Sequence, residues 1–424
     1  MKSLAIIGTG IAGLGCAHFL HRRFDLTVFE QNDYAGGHTN TVEAVEAGRP
    51  VPIDTGFMVF NHVTYPHLTR LFRELDVTTK PTDMSFSVQH VPTGLEYNGG
   101  SLDLLFVQRR NLLRPRYWRM LTQINRFNRE AVPAINEVQY ARLSLQEYVK
   151  ARGYGDDMLH LYLLPMGGAV WSTPPDRMLE FPAVTLMRFW HNHGMLGLHT
   201  QHPWFTVEGG ARSYVRKLTV PFQDRIRLGA RAVRVRREGG QVHVTAADGT
   251  TQSFDKVILA CHADQALALL TDPTALESRL LREFKYQPNT VTLHTDDSFM
   301  PRARRGWASW NYRLDADAEG KLRPTTHYWM NRLQGVSPDV NYFVSLNCHE
   351  RIAPEKVVRR IEYEHPLFNL AAIEAQANLP KLNQTGADQT TYYAGAWFKY
   401  GFHEDGLASA LDCARALTGE PLWS

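Results

Sequence analysis

The chain has 424 residues, enough for two domains with substantial cores, in the composition of an ordinary globular protein. A formal net charge of +3 is too small to argue for nucleic acid, and no nucleic-acid-binding motif is present. The four scattered cysteines, Cys16, Cys261, Cys348 and Cys413, show no C-x-x-C spacing, which argues against a disulfide framework, a zinc site or an iron–sulfur site and fits a reducing compartment.

Ser3–Gly8 reads as a short buried strand, Ile11–Arg22 as a helix with an apolar face, and Leu26–Glu30 as a second strand: a β-α-β unit. The apolar stretch from Lys2 to Leu20 is broken by glycine and has no convincing cleavage site, which argues against a secretory signal. No apolar run of about 18 residues occurs elsewhere, so no membrane-spanning helix is expected. Residues 62–200 are rich in aromatics and helical periodicity, punctuated at Pro165–Gly168 and Pro174–Pro175. Strand character returns over Val207–Val257. Arg231–Arg237 and Val242–Ala246 alternate around a Gly239–Gly240 turn, and Lys256–Ala260 reads as a buried strand. From 265 to 384 the pattern is mixed. The end gives one strand, Thr390–Ala394, then a loop, then a helix from Asp405 to Thr418. Dinucleotide-type sequence therefore stands at the start, middle and end. It predicts a Rossmann-type α/β domain from residues 1–61, 205–265 and 385–424, with an inserted mixed sheet-and-helix (α+β) domain from 62–204 and 266–384.

The first strand and helix are joined by Gly8-Thr9-Gly10-Ile11-Ala12-Gly13. Gly8 permits a tight turn, Gly10 lets the backbone approach a pyrophosphate, and Gly13 lets helix and strand pack closely. A lone G-x-G-x-x-G is weak. Here its flanks are right, and Glu30 ends the second strand about 20 residues on, where a carboxylate accepts ribose hydroxyls. That much suits NAD or FAD, and a glycine turn in an unrelated fold is the bland alternative. The pattern continues in Gly36-Gly37-His38, Asp54-Thr55-Gly56-Phe57, Tyr392-Tyr393-Ala394-Gly395 and His403-Glu404-Asp405-Gly406-Leu407.

With these motifs the chain resembles the flavin amine oxidase superfamily, which includes monoamine oxidases, protoporphyrinogen oxidases and carotenoid desaturases. Val257–Ala260 is similar to its central strand, Val207-Glu208-Gly209-Gly210 to a glycine pair that re-enters the FAD domain, and Ala394-Gly395 with Asp405-Gly406 to its C-terminal flavin motif. The resemblance implies noncovalent FAD. It implies contacts from Gly8, Gly10, Ala12 and Gly13 at the pyrophosphate, Glu30 at the adenosine ribose, and Gly36, Gly37 and His38 along the pyrophosphate and ribityl region. Gly56, Phe57 and Met58 would pass the isoalloxazine, and Val233 would meet the adenine through its backbone. Ala260 and Gly395 would bound the site at the strand ends, and Glu404, Asp405, Gly406 and Leu407 would face the flavin pyrimidine edge at a helix N-terminus. Three positions depart from the family: His38 replaces its usual arginine, Ala396-Trp397 stands in place of an acidic residue, and Gln287–Asp297 lacks the lysine that amine oxidases place near flavin N5. In Gly36–Thr41 and His403–Gly406 the chain is closer to bacterial NAD/FAD-binding proteins associated with cyclopropane- or methyl-fatty-acyl synthesis. That likeness implies a long apolar acyl chain as substrate and hydride transfer to flavin N5. An amine oxidase and a nonenzymatic FAD-binding partner of a lipid-modifying enzyme are the alternatives.

From Leu104 to Arg129 there are seven arginines and no acidic residue, with Tyr117, Leu121, Ile124, Phe127 and Ala131 near helical spacing behind Pro115. Such a segment, Arg109–Arg129, suits contact with an anionic membrane surface and a cytoplasmic protein peripheral on the inner face of the cell membrane. A solvated basic face is the competing reading. His191, His193, His199 and His202 form a local cluster whose His-x-His spacing could put two ligands on one strand face. No acidic residue between Phe181 and Val207 completes a site, and packing or substrate-lining histidines are expected rather than a metal. Trp397, Phe398, Tyr400 and Phe402 are candidates for an apolar wall, and Tyr65 and His403 for titratable groups beside the flavin.

Overall fold

The computed structural model describes residues 1–197, 200–317, 319–320, 322–384, 386 and 389–423. The first strand, Lys2–Ile7, is flanked in one five-stranded parallel sheet by Phe24–Phe29 and Lys256–Leu259, with Ile226–Arg227 and Thr391–Tyr393 outside them. Ile6 is in register with Val28 on one side and Ile258 on the other, and Ile258 with Tyr392. A parallel sheet covered on both faces needs near-continuous apolar strands, and Leu4, Ile6, Val28 and Ile258 are all buried. The first helix, Ile11–Leu20, stops earlier than the sequence suggests, with a His21–His18 carbonyl contact and a turn through Arg22 and Arg23. It lies against the last helix, His403–Thr418. Their approach is so close that a Cβ on Gly15 would sit 2.9 Å from the Ala410 methyl, and one on Gly406 2.7 Å from Ile11 Cγ2.

A second sheet has seven strands in the order Val357–Leu367, Lys285–His294, Phe343–Leu346, Leu322–Trp329, Trp310–Ala316, Phe86–His90, Leu95–Asn98. Its pairings are antiparallel except Trp310–Ala316 against Phe86–His90. The hairpin around Gly239–Gly240 forms as read, within a separate three-stranded sheet. The helix opened by Pro115 runs to Ala134 and buries Tyr117, Phe127 and Ala131. Pro165–Gly168, read as punctuation, instead lies inside a helical run. Residues Leu159–Leu163 form a π turn, and the helix Leu164–Trp171 continues through Pro165, whose missing N–H a widened turn accommodates.

The His-x-His pair at 191 and 193 lies at the end of a helix rather than on a strand. Ala183–Asn192 is helical because Ala183, Leu186, Met187, Phe189 and Trp190 bury at helical spacing, and His193 is its C-cap. His199 lies outside the described residues. Among those residues no group of three His, Cys, Asp or Glu side chains is gathered as metal ligands, and no helix is long and apolar enough to cross a membrane.

Candidate active site

A cavity of 1410 Å³ is lined from both sheets. One end is walled by Gly8, Gly10, Ala12, Glu30, Gly36, Gly37, His38, Arg231–Val233 and Ala260–His262. Gly8 has φ 104°, and a Cβ there would lie 2.9 Å from the Ala260 carbonyl oxygen. A Cβ on Gly13 would lie 1.9 Å from the Gly8 carbonyl oxygen, so Gly13 serves packing from outside the cavity wall. A Cβ on Gly10 would meet nothing within 4 Å. The open space above Gly10 faces first-turn N–H groups that no intrahelical carbonyl can satisfy, and this fits the diphosphate of FAD.

Glu30 is buried at this end. Its Oε2 accepts from the Thr9 N–H and hydroxyl, and its Oε1 from the N–H and side-chain amide of Asn32. A ribose hydroxyl at Glu30 would therefore share or replace one of these partners. Val233 is 45% exposed and lines the cavity mouth with Arg231.

His38 has two histidine neighbours. Its ring lies 6.4 Å from His262 and 5.4 Å from His365, and it stacks on Tyr363 at 4.7 Å. Burial, then repulsion among the rings, holds His38 well below the usual histidine range and His365 down at about 4. Residues 38, 262 and 365 are far apart in sequence, so nothing in the local pattern announced the cluster. Cys261 is the only cysteine in the cavity wall among the described residues. Burial pushes its thiol up to about 12, which leaves it a poor nucleophile.

Gly56, Phe57 and Met58 line the middle of the cavity. Phe57 donates its N–H to the His38 carbonyl at 2.8 Å, and a Cβ on Gly56 would lie 2.2 Å from that same oxygen. His403 stacks on Phe57 at 3.8 Å, and its Nε2 shares hydrogen bonds of 2.8 Å with the Thr39 and Tyr214 hydroxyls. Burial lowers its pKa to about 3. Tyr65 lines the wall, and burial with nearby Asp405 and Glu404 raises its hydroxyl above the usual range. His403 and Tyr65 are therefore neutral groups suited to positioning and weak as bases.

Gly395 and His403 reach the wall, but Glu404, Asp405, Gly406 and Leu407 lie behind it. Glu404 caps the helix Pro66–Glu74 through the N–H groups of His67 and Leu68. Asp405 accepts from the N–H groups of Tyr400 and Phe402. Gly406 meets Ile11, and Leu407 is fully buried. This first turn folds back on its own loop and on the first helix, so His403 is the member of the motif that faces the cavity.

The other end is apolar. Met58, Val59, Met84, Phe86, Met166, Ala169, Val170, Trp171, Phe189, Met195, Trp204, Trp310, Tyr328, Leu346 and Ile361 line it. Charged groups also line the wall: Glu43 pairs with Arg212, Glu362 accepts from Thr290, Glu364 faces His262, and Arg360 and Glu362 flank Ile361 in the strand Val357–Leu367. No lysine lines the cavity among the described residues. Tyr400 and Phe402 join the wall as expected, and Phe402 stacks on Phe189 at 4.9 Å. Trp397 also lines the wall and donates to the Cys261 carbonyl, while Phe398 packs into the core instead.

His193 is the residue the sequence undervalued. It is buried between Phe189 (3.8 Å) and Trp204 (6.2 Å) and lines the apolar end. Its Nδ1 lies 2.9 Å from the Phe189 carbonyl, which can only accept, so Nδ1 carries the proton. Burial keeps the ring neutral, with a pKa of about 4, and leaves a lone pair on Nε2.

A family model described as flavin containing amine oxidoreductase matches residues 11–418. A 1-hydroxycarotenoid 3,4-desaturase of Flavobacterium sp. (strain P99-3) is 40% identical over 82 residues, which is 18% of this chain and 15% of that protein. Among solved structures, a putrescine oxidase variant superposes with a TM-score of 0.69 at 12% identity, covering 99% of each chain. Cyclohexylamine oxidase from Brevibacterium oxydans IH-35A does so at 0.69 and 14% identity, over 98% of this chain and 99% of that one. A CLA-producing fatty acid isomerase from P. acnes gives 0.69 at 14% identity over 98% of each. At such identities the likeness is one of fold.

Proposed function

The chain belongs to the flavin-containing amine oxidoreductase family and is an FAD-dependent oxidoreductase, and from that premise we propose that it dehydrogenates the long apolar chain of a modified fatty-acyl lipid, with FAD held noncovalently. One observation carries this reading: methionine, aromatic and branched aliphatic side chains, among them Met58, Met84, Met166, Phe189, Trp204 and Trp310, make up a large part of the cavity wall. Dehydrogenation at saturated or allylic carbons needs a dry pocket that holds a C–H bond in place. The absence of a lysine from the wall among the described residues weighs against amine oxidation.

When bound, FAD supplies the two-electron acceptor. The chain's own residues do the rest. Gly8–Ala12 and the helix N-terminus would receive the diphosphate, and Gly56–Met58 hold the middle of the cavity close to His38. Phe189, Phe402, Trp171 and Trp204 exclude water. His193, neutral and hydrogen-bonded through Nδ1 to the Phe189 carbonyl, would help hold the substrate chain against Phe189 and Trp204 as a positioning residue.

The test is anaerobic mixing of the yellow protein, separately, with phospholipids bearing modified acyl chains and with a panel of amines, following flavin absorbance. Bleaching by the lipids alone is the expected result. Bleaching by amines alone would overturn the reading in favour of an amine oxidase, and bleaching by neither would overturn it in favour of a nonenzymatic FAD-binding role.

A further inference from the structure

The arginine-rich segment takes no part in the cavity, yet it builds a definite surface. A 3-10 turn, Arg109–Leu113, precedes the helix Pro115–Ala134, and together they flank the edge strand Leu95–Asn98 of the seven-stranded sheet. On this surface Leu113 is 88% exposed, and Leu112 and Trp118 each 45%. Single exposed apolar residues are ordinary, but three joined in one crest are not. The crest is held in shape: Trp118 Nε1 donates to the Leu112 carbonyl at 2.9 Å, and the indole lies 5.1 Å from the Phe106 ring beneath it.

Arginine dominates the charges around the crest. Arg110 and Arg114 are exposed and form no ion pair among the described residues. Arg109 and Arg305 share Asp103, and Arg116 pairs with Asp157.

We propose that this face docks on an anionic phospholipid bilayer, with Leu112, Leu113 and Trp118 entering the headgroup–acyl boundary and the arginines meeting lipid phosphates. A rigid leucine–tryptophan crest inside an arginine ring matches a surface that is apolar below and negative above. A polyanion without an apolar layer would leave Leu113 unused, and an apolar protein groove would leave the arginines unused. The proposal goes beyond the reading of the reaction and stands or falls separately from it. The two meet at Phe86, which lines the cavity and also packs against the cluster under the crest that contains Tyr97, Phe106 and Tyr117.

The experiment is co-sedimentation of the FAD-loaded protein with vesicles of phosphatidylcholine alone and of phosphatidylcholine with phosphatidylglycerol. Wild type is expected to sediment with the mixed vesicles and to be released by salt. Leu113→Asp, and separately the double variant Arg110→Glu/Arg114→Glu, should partition about tenfold or more weakly with an unchanged flavin spectrum, since none of these residues lines the cavity. Equal binding to neutral vesicles, full binding by L113D, or no binding by wild type would overturn the proposal. So would concentration-dependent self-association lost in L113D, which would assign the crest to a second copy of the chain.

Discussion

Gly10 and Gly13 stand three residues apart in the first turn and helix, and alanine at each should fail in a different way. At Gly13 the added methyl would sit 1.9 Å from the Gly8 carbonyl oxygen and 3.4 Å from the Ala260 methyl. The first of these neighbours is backbone, so the helix and the first strand must part. Overpacking of this kind costs about 1–3 kcal/mol, and a backbone clash belongs at the upper end or beyond. At Gly10 the methyl meets no protein atom within 4 Å, and the backbone there is extended, at φ −61° and ψ 175°, a region alanine adopts freely. The apoprotein should therefore keep its stability or gain about 0.4–1 kcal/mol, because alanine has fewer unfolded conformations than glycine. The same methyl occupies the space reserved for the diphosphate, so FAD affinity should fall at least about a hundredfold, roughly 2.7 kcal/mol. Denaturant unfolding of the two apoproteins and FAD titration by fluorescence quenching measure both quantities. If Gly10→Ala bound FAD like wild type, or if Gly13→Ala were as stable as wild type, the assignment of one glycine to binding and the other to packing would be refuted.

Two further predictions come from histidine. His294 donates from Nε2 to the Ser345 hydroxyl, because its Nδ1 already accepts the Asp296 N–H, and Ser345 in turn reaches His327 Nδ1. The chain works only with both rings neutral, and burial lowers His294 to about 4. Below the ordinary pKa of about 6.5 the unfolded chain takes up the proton and the fold does not. Stability is therefore present above that value and lost as pH falls toward 4, by about 3 kcal/mol for this ring. Asp405, lifted by burial to about 7, works in the opposite sense, because its stabilising protonated form is lost as pH rises. Comparing urea unfolding of wild type and His294→Asn between pH 7.5 and 4.5 cancels the Asp405 contribution, and the variant's dependence should be shallower by that amount. His193→Gln should lower kcat at least about tenfold through lost orientation of the reacting carbons, while leaving KM and FAD affinity near wild type. A rise in KM alone would reduce His193 to a wall residue.

The parts legible in sequence were those written locally. The strand–glycine turn–helix unit, the Gly239–Gly240 hairpin and the helix behind Pro115 each follow from short-range pattern. What escaped depends on long-range company. His-x-His at 191 and 193 mimics strand alternation, and only the burial of Leu186, Met187, Phe189 and Trp190 makes it the end of a helix. His38, His262 and His365 meet because three separate segments converge. Glu404 reads as a cofactor residue in its motif, but it caps a helix that begins at Pro66, more than three hundred residues earlier.

The row Val28–Ile6–Ile258–Tyr392 also orders events during synthesis. The sheet that receives the cofactor takes its fifth strand from Thr391–Tyr393 and one helical cover from His403–Thr418. While the ribosome works through the residues between 260 and 390, Ile258 presents an open strand edge and the first helix lacks its partner. Chains made at about 5–20 residues per second keep that edge exposed for many seconds, with no local contact able to close it. A nascent chain stalled short of residue 391 would hold every glycine of the cofactor loop and still be a substrate for chaperones and proteases.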